Sequence, residues 1–202
     1  MTFRIRFGAT IALAAVALAA CSTTTDPGHA DPTSTTSSSS SANPKLSRPK
    51  DLKIANVDPC SLLTDAQKTQ LKVTHTGPGP GSADSGSPSS CSYTVLKPIP
   101  YSMNIALDSK LGVEDWLGGK YEGQDLRKLS VQSYPAAQTL LLAEKFSDPN
   151  AGGCQTLVST AAGQELHAGA LQDLKKGLTT AQLCDLSKQL ADLAMTTLLA
   201  NQ

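Results

Sequence analysis

Tyr101-Ser102-Met103-Asn104-Ile105-Ala106-Leu107-Asp108 is the stretch on which the fold turns. Tyr101, Met103, Ile105 and Leu107 alternate with smaller or polar side chains. A strict period of two over that length predicts a β-strand with one buried and one wet face. The same period runs upstream, where Tyr93 and Val95 alternate with Ser92 and Thr94. Between the two lies Lys97-Pro98-Ile99-Pro100, whose prolines suit a turn and not a central strand. Further strands are expected at Arg127–Val131, Thr139–Lys145, Gln155–Thr160 and Glu165–Leu171, with Asp148–Gly153 as a turn between two of them. Val113–Leu117 reads as a short helix closed by Gly118-Gly119.

Helical signals flank this β-rich centre. Asp58-Pro59 is a helix start, because Asp accepts from free amides and Pro loses nothing at the first helical position. Thr64-Asp65-Ala66-Gln67 is a capping box, so one broken helix is expected from about Pro59 to Lys72. Gly77 to Pro88 reads as a long mobile surface loop, and it lacks the Gly-Lys-Ser/Thr of a phosphate-binding loop. Near the C-terminus, Thr179-Thr180-Ala181-Gln182 is a second capping box, with Leu178 placed to staple onto Leu183. Leu183, Leu186, Leu190, Leu193 and Leu198 follow at helical spacing, a stripe wide enough to lie on a sheet. The expected class is α+β: an antiparallel sheet of five to six strands packed by an N-terminal and a C-terminal helix.

The start of the chain carries an address. Arg4 and Arg6 precede an apolar run from Gly8 to Ala20, the layout of a secretory signal. Leu18-Ala19-Ala20-Cys21 makes its end a lipobox, with cleavage between Ala20 and Cys21 and a diacylglycerol thioether on Cys21. The apolar run is too short to span a bilayer. Each buried methylene contributes about 0.8 kcal/mol, so two acyl chains hold stably where one does not. From Ser22 to about Lys50 the chain is rich in Ser, Thr and Pro and nearly devoid of apolar residues. It cannot bury enough area to offset its ordering entropy and is expected to be a disordered tether, with a root-mean-square reach of about 30 Å. The sequence thus divides into a signal peptide (1–20), a lipidated cysteine with its tether (21–50) and one extracytoplasmic domain (51–202).

Removing Arg4 and Arg6 with the leader turns 17 basic against 17 acidic groups into 15 against 17, a net of −2. No basic stripe appears, and Lys175-Lys176 is an isolated pair, which argues against nucleic acid as a partner. With Cys21 assigned to lipid, Cys60, Cys91, Cys154 and Cys184 remain. An even number of thiols outside the cytoplasm reads as two disulfides. Four cysteines allow three connectivities and spacing does not choose among them. Cys60–Cys91 with Cys154–Cys184 is the pairing favoured, since each clips one end of the domain through a loop of about thirty residues, at about 3.5–4 kcal/mol per bridge. Zinc needs close ligand pairs, and no two of these cysteines lie near each other.

Several of these features occur together in one known family. A lipobox and Ser/Thr-rich tether precede Asp58-Pro59-Cys60-Ser61-Leu62-Leu63-Thr64, then Cys91-Ser92-Tyr93, then Cys154 and a Cys184 that opens an amphipathic C-terminal helix. This resembles the actinobacterial, mycobacterial-type lipoproteins of the domain of unknown function 3558 family. The resemblance covers nearly the whole domain. It implies an envelope lipoprotein with two disulfides, and it implies no activity.

Catalytic sets are not found. His29 lies in the tether, His75 beside the Gly/Pro loop, and His167 alternates with Leu166 and Ala168 so as to face water. There is no Gly-x-Ser-x-Gly elbow, and Ser187-Lys188 has the wrong spacing for a Ser-x-x-Lys pair. Glu114-Asp115 diverge by about 100° on a helix and read as a solvated face. Trp116, the sole tryptophan, reads as a core anchor. No catalytic residue, cofactor or metal is expected. The leading expectation is a non-enzymatic binding or accessory module, held to the extracytoplasmic face of the membrane by its lipid anchor. Its partner would be an envelope protein, a cell-wall polymer or a lipid. The wet sheet face carrying Ser102, Asn104 and His167 is the candidate contact. An apolar-ligand carrier and a cell-wall hydrolase are the alternatives.

Overall fold

Burial alternates in the middle of Tyr101–Asp108, where Met103 and Ile105 are fully buried and Ser102 and Asn104 half-exposed, but Ala106 and Asp108 on the expected wet face are buried too. The computed structural model describes residues 45–79, 90–141, 144–172 and 177–202. The lipobox, most of the tether, most of the Gly/Pro loop and Lys175-Lys176 lie outside the described residues. The strands are β1 (His75–Gly79), β2 (Ser90–Val95), β3 (Tyr101–Asp108), β4 (Leu126–Val131), β5 (Tyr134–Leu140), β6 (Gly153–Ala161) and β7 (Gln164–Leu171). They form one antiparallel sheet in the order β1-β2-β3-β7-β6-β5-β4. The helices are α1 (Asp65–Gln70), α2 (Val113–Leu117) and α3 (Thr180–Ala200).

The domain is α+β as expected, with seven strands rather than five or six. The additional strand is β1, in a stretch whose Gly and Pro read as loop. It sits at the sheet edge, where a proline costs no ladder bond on the open side, and Thr74 N donates to Thr94 O at its start. The strand expected at Thr139–Lys145 runs instead from Tyr134 to Leu140. Pro135 is accommodated near the start of the strand, just past a hairpin turn that places Gln132 and Ser133 at positive φ. The expected N-terminal helix breaks into a 3-10 turn, Pro59–Leu62, and α1, whose own residues bury nothing. Leu62, Leu63 and Leu71 beside them supply the packing.

α3 covers one face of the sheet. Leu183, Leu190, Ala194, Met195 and Leu198 enter a core shared with Tyr93, Met103, Ile105, Leu140 and Leu166. Its start is anchored as the capping box predicts, Thr179 Oγ1 accepting from Gln182 N at 3.3 Å. Thr180 Oγ1 also accepts from Ala151 N at 2.9 Å, tying the helix to the Asp148–Gly153 turn. Beneath the helix lies a polar network that the hydrophobic pattern does not announce. Gln138 Nε2 donates to Cys184 O at 2.9 Å, and the Thr156 and Ser187 hydroxyls meet at 2.9 Å. Such a network is stabilising only when its members are paired, and here they are.

Both disulfides have the favoured connectivity, Cys60–Cys91 and Cys154–Cys184, with sequence separations of 31 and 30. The second ties the first turn of α3 to β6. Replacing Cys154 and Cys184 together by Ala is expected to lower the unfolding free energy by about 3–4 kcal/mol in denaturant titrations, the loop-entropy value for such a ring. A loss below about 1 kcal/mol would show that the helix is held by packing alone.

Candidate functional site

Among the described residues, the second face of the sheet is covered over only part of its area. Register places Ser102, Asn104 and His167 on it together, because Asn104 pairs with Gly169 and Ala106 with His167. At the β1-β2-β3 end the face is a shelf of small polar groups. Ser90, Ser92, Ser102, Asn104 and Leu171 line a depression of about 230 Å³. Gly169 makes room here: a Cβ on it would stand 2.2 Å from Asn104 Oδ1, so the amide would have to swing aside. The Asn104 amide lies in the space that a side chain at position 169 would fill.

At the other end of β3 and β7 the same face is closed. α2 lies over it, and Trp116, Leu111, Val113, Ala137 and Leu157 form a second, smaller apolar cluster. His167 falls under this cover. It is 8% exposed, not on the wet side where alternation put it. Its Nε2 lies 2.6 Å from Glu165 Oε1, and Trp116 Nε1 donates to that same oxygen at 2.9 Å. Trp116 stacks on Tyr121 with ring centroids 4.0 Å apart and meets the His167 ring edge-on. Trp116 is the core anchor that was expected, with an added polar task. Asp108 stands directly opposite Glu165 across the β3-β7 ladder, and its Oδ1 accepts from Lys110 N and Leu111 N. Glu114 and Asp115 are not the solvated face that helical divergence suggested. Glu114 Oε1 accepts from Gly163 N at 2.6 Å, and Asp115 Oδ2 from Gly112 N at 3.1 Å.

The structured chain reaches this face earlier than the composition break at Lys50. Leu46 packs against the second cluster, and Arg48 Nη1 donates to Ser159 Oγ at 2.8 Å. Asp108 and Glu165 were not singled out from the sequence. The available signal was the spacing of Glu165 and His167 by two, which puts both on one face. What buries them is Trp116, 49 positions from Glu165. His75 opens β1 and is exposed, far in sequence from either carboxyl.

Burial pushes the Glu165 carboxyl above its ordinary range. The charge and hydrogen bond of His167 and the hydrogen bond from Trp116 oppose that rise, and the Asp108 charge adds to it. The folded chain thus holds the Glu165 proton more tightly than water would, beside an imidazole. No three His, Cys, Asp or Glu side chains among the described residues gather with the geometry of a metal site.

A family model described as a protein of unknown function, DUF3558, matches residues 16–197. The chain belongs to that family. No curated protein and no solved structure matches it. The two disulfides fit a domain that folds outside the reducing cytosol. No helix among the described residues is long and apolar enough to cross a membrane.

The buried carboxyl gives this DUF3558 domain a signed dependence on pH. Folded, Glu165 holds its proton to higher pH than the unfolded chain, whose carboxyl has the ordinary value of 4.5. The stabilisation attached to that proton is complete below the unfolded value and is lost as pH rises through the folded one. The amide of Glu165→Gln offers an oxygen to Trp116 and an N–H to His167 without titrating. That variant is expected to gain stability relative to wild type as pH rises, read from urea titrations at matched pH; curves that stay parallel contradict the assignment. Trp116→Phe removes the indole donor and is expected to cost about 1–3 kcal/mol in the same titrations.

Proposed function

We propose that this DUF3558 protein is a membrane-anchored envelope lipoprotein acting as a non-enzymatic binding module through the open half of its second sheet face. One observation carries the reading. α3 occupies the first face, whereas Ser92, Ser102 and Asn104 remain half-exposed around a depression on the second. A sheet face of this kind offers a row of neutral donors and acceptors on a rigid base. Its hydroxyl and amide groups stand among apolar lining that includes Leu171, which supports a partner offering both hydrogen-bonding groups and apolar contact, an envelope protein or a cell-wall polymer. Acylation at Cys21 after cleavage at Ala20 would confine the domain to the extracytoplasmic leaflet, and the Ser/Thr-rich segment would supply reach.

Support for the non-enzymatic part comes from the histidines. The His167 imidazole is engaged with Glu165 beneath Trp116, and the serines of the shelf are spread over two strands.

Two measurements test the reading. Cys21→Ser is expected to move the protein from the membrane pellet to the soluble fraction, and unchanged sedimentation with membranes would refute acylation there. The lipidated protein, crosslinked in membranes and purified, is expected to retain a defined partner that Ser102→Arg with Asn104→Arg removes and Lys188→Ala, on the outer side of α3, does not. Retention indifferent to the shelf, or no defined partner, would refute the binding assignment.

A further inference from the structure

The chemistry of the closed end of the second face is unusual for a region held by so little. α2 has five residues, too few to be stable alone, and the cluster beneath it is small. Polar ties complete the attachment: Trp116 Nε1 to Glu165 Oε1, and Glu114 Oε1 to Gly163 N. Leu46, at the start of the structured chain, packs into the same cluster. Three carboxyl oxygens, Asp108 Oδ2, Glu114 Oε2 and Glu165 Oε2, are buried here and find no hydrogen-bond partner among the described residues.

The charged groups around Glu165 can be named from each side. Asp108 faces it from β3 and His167 from β7. β6 presents Ser159, which holds the Arg48 guanidinium, and Arg48 is itself paired with Asp51. α2 brings Glu114 and Asp115, the latter 4.0 Å from Lys120 in the following loop. Lys110 touches Asp108 through its backbone N–H. The carboxyls therefore outnumber the nearby cations that face them directly.

We propose that α2, together with the segment carrying Leu46, is a proton-controlled flap over the Asp108–Glu165–His167 cluster. It is closed while Glu165 holds its proton and so faces Asp108 without a second negative charge. Loss of that proton sets two carboxylates opposite each other in a dry site. Lifting the flap hydrates them and exposes the imidazole. Leu46 shares the cluster with Trp116, so the same opening releases Leu46 from the domain. The flap is independent of what the shelf binds.

Linkage gives the sign. Opening returns Glu165 to water and to its ordinary range, so the closed form binds the proton more tightly and is favoured at lower pH. Trp116 is the only tryptophan, which makes its emission a reporter of this one site. The full chain is titrated between about pH 5 and about pH 8 while emission and far-ultraviolet circular dichroism are followed together. Wild type is expected to shift to the red as pH rises, with the dichroism unchanged. Glu165→Gln is expected to stay blue throughout. Asp108→Asn, which keeps an oxygen for Lys110 and Leu111 but removes the opposing charge, is expected to give a smaller shift. Emission that ignores pH in wild type overturns the proposal, as does a full shift in both variants or a shift that coincides with loss of the dichroism signal.

Discussion

The Cys154–Cys184 bridge and the polar contacts around it fix α3 to the centre of the sheet, and the rest of the architecture depends on that attachment. The bond joins β6 to the first helical turn. Directly beside it, Gln138 reaches from β5 to the Cys184 carbonyl, and Thr156 from β6 meets Ser187. A leucine stripe alone could slide or rotate on a flat aliphatic surface. Side-chain amides and hydroxyls that must each find a partner in a dry interface allow one register. With the helix so placed, one face of the sheet is committed to the core and all remaining chemistry falls on the other.

That second face is divided by a single side chain. α2 lies over β5 and β6, and the Trp116 indole N–H reaches β7 to supply a hydrogen bond to a carboxyl that burial would otherwise leave very costly. Beneath the indole lie Glu165 and His167 with Asp108 opposite, and at the other end of the face Ser92, Ser102 and Asn104 are half-exposed among the described residues. The face thus carries half-exposed polar groups at one end and a titrating group held under a cover at the other. Keeping polar groups on a half-covered face agrees with an antiparallel sheet, which can leave one side to water.

Much of this was legible in the sequence, and the reasons for the exceptions are physical. The capping boxes at Thr64 and Thr179, the alternation through Tyr101–Asp108 and the α2 helix closed by Gly118 are local, and local signals survive folding. The placement of Ser102, Asn104 and His167 on one face also followed from period two. Exposure did not follow, because alternation assigns a side and not its cover, and the cover for His167 comes from Trp116 on a distant helix. β1 was hidden because Gly and Pro punctuate loops and edge strands alike. β5 was displaced because Tyr134-Pro135-Ala136-Ala137 carries no alternation, being an interior strand buried on both faces. Glu165 was passed over since a glutamate on a strand is ordinarily solvent-exposed.

The claim that one face is permanently sealed and the other only lightly covered is tested most directly by native-state hydrogen exchange. The account predicts that amides from Leu190 to Met195 in α3 exchange only through global unfolding, with the full denaturant dependence of the domain, while those of α2 exchange through a smaller opening that depends weakly on denaturant. Exchange in α3 as ready as in α2, through an opening of the same size, would contradict it.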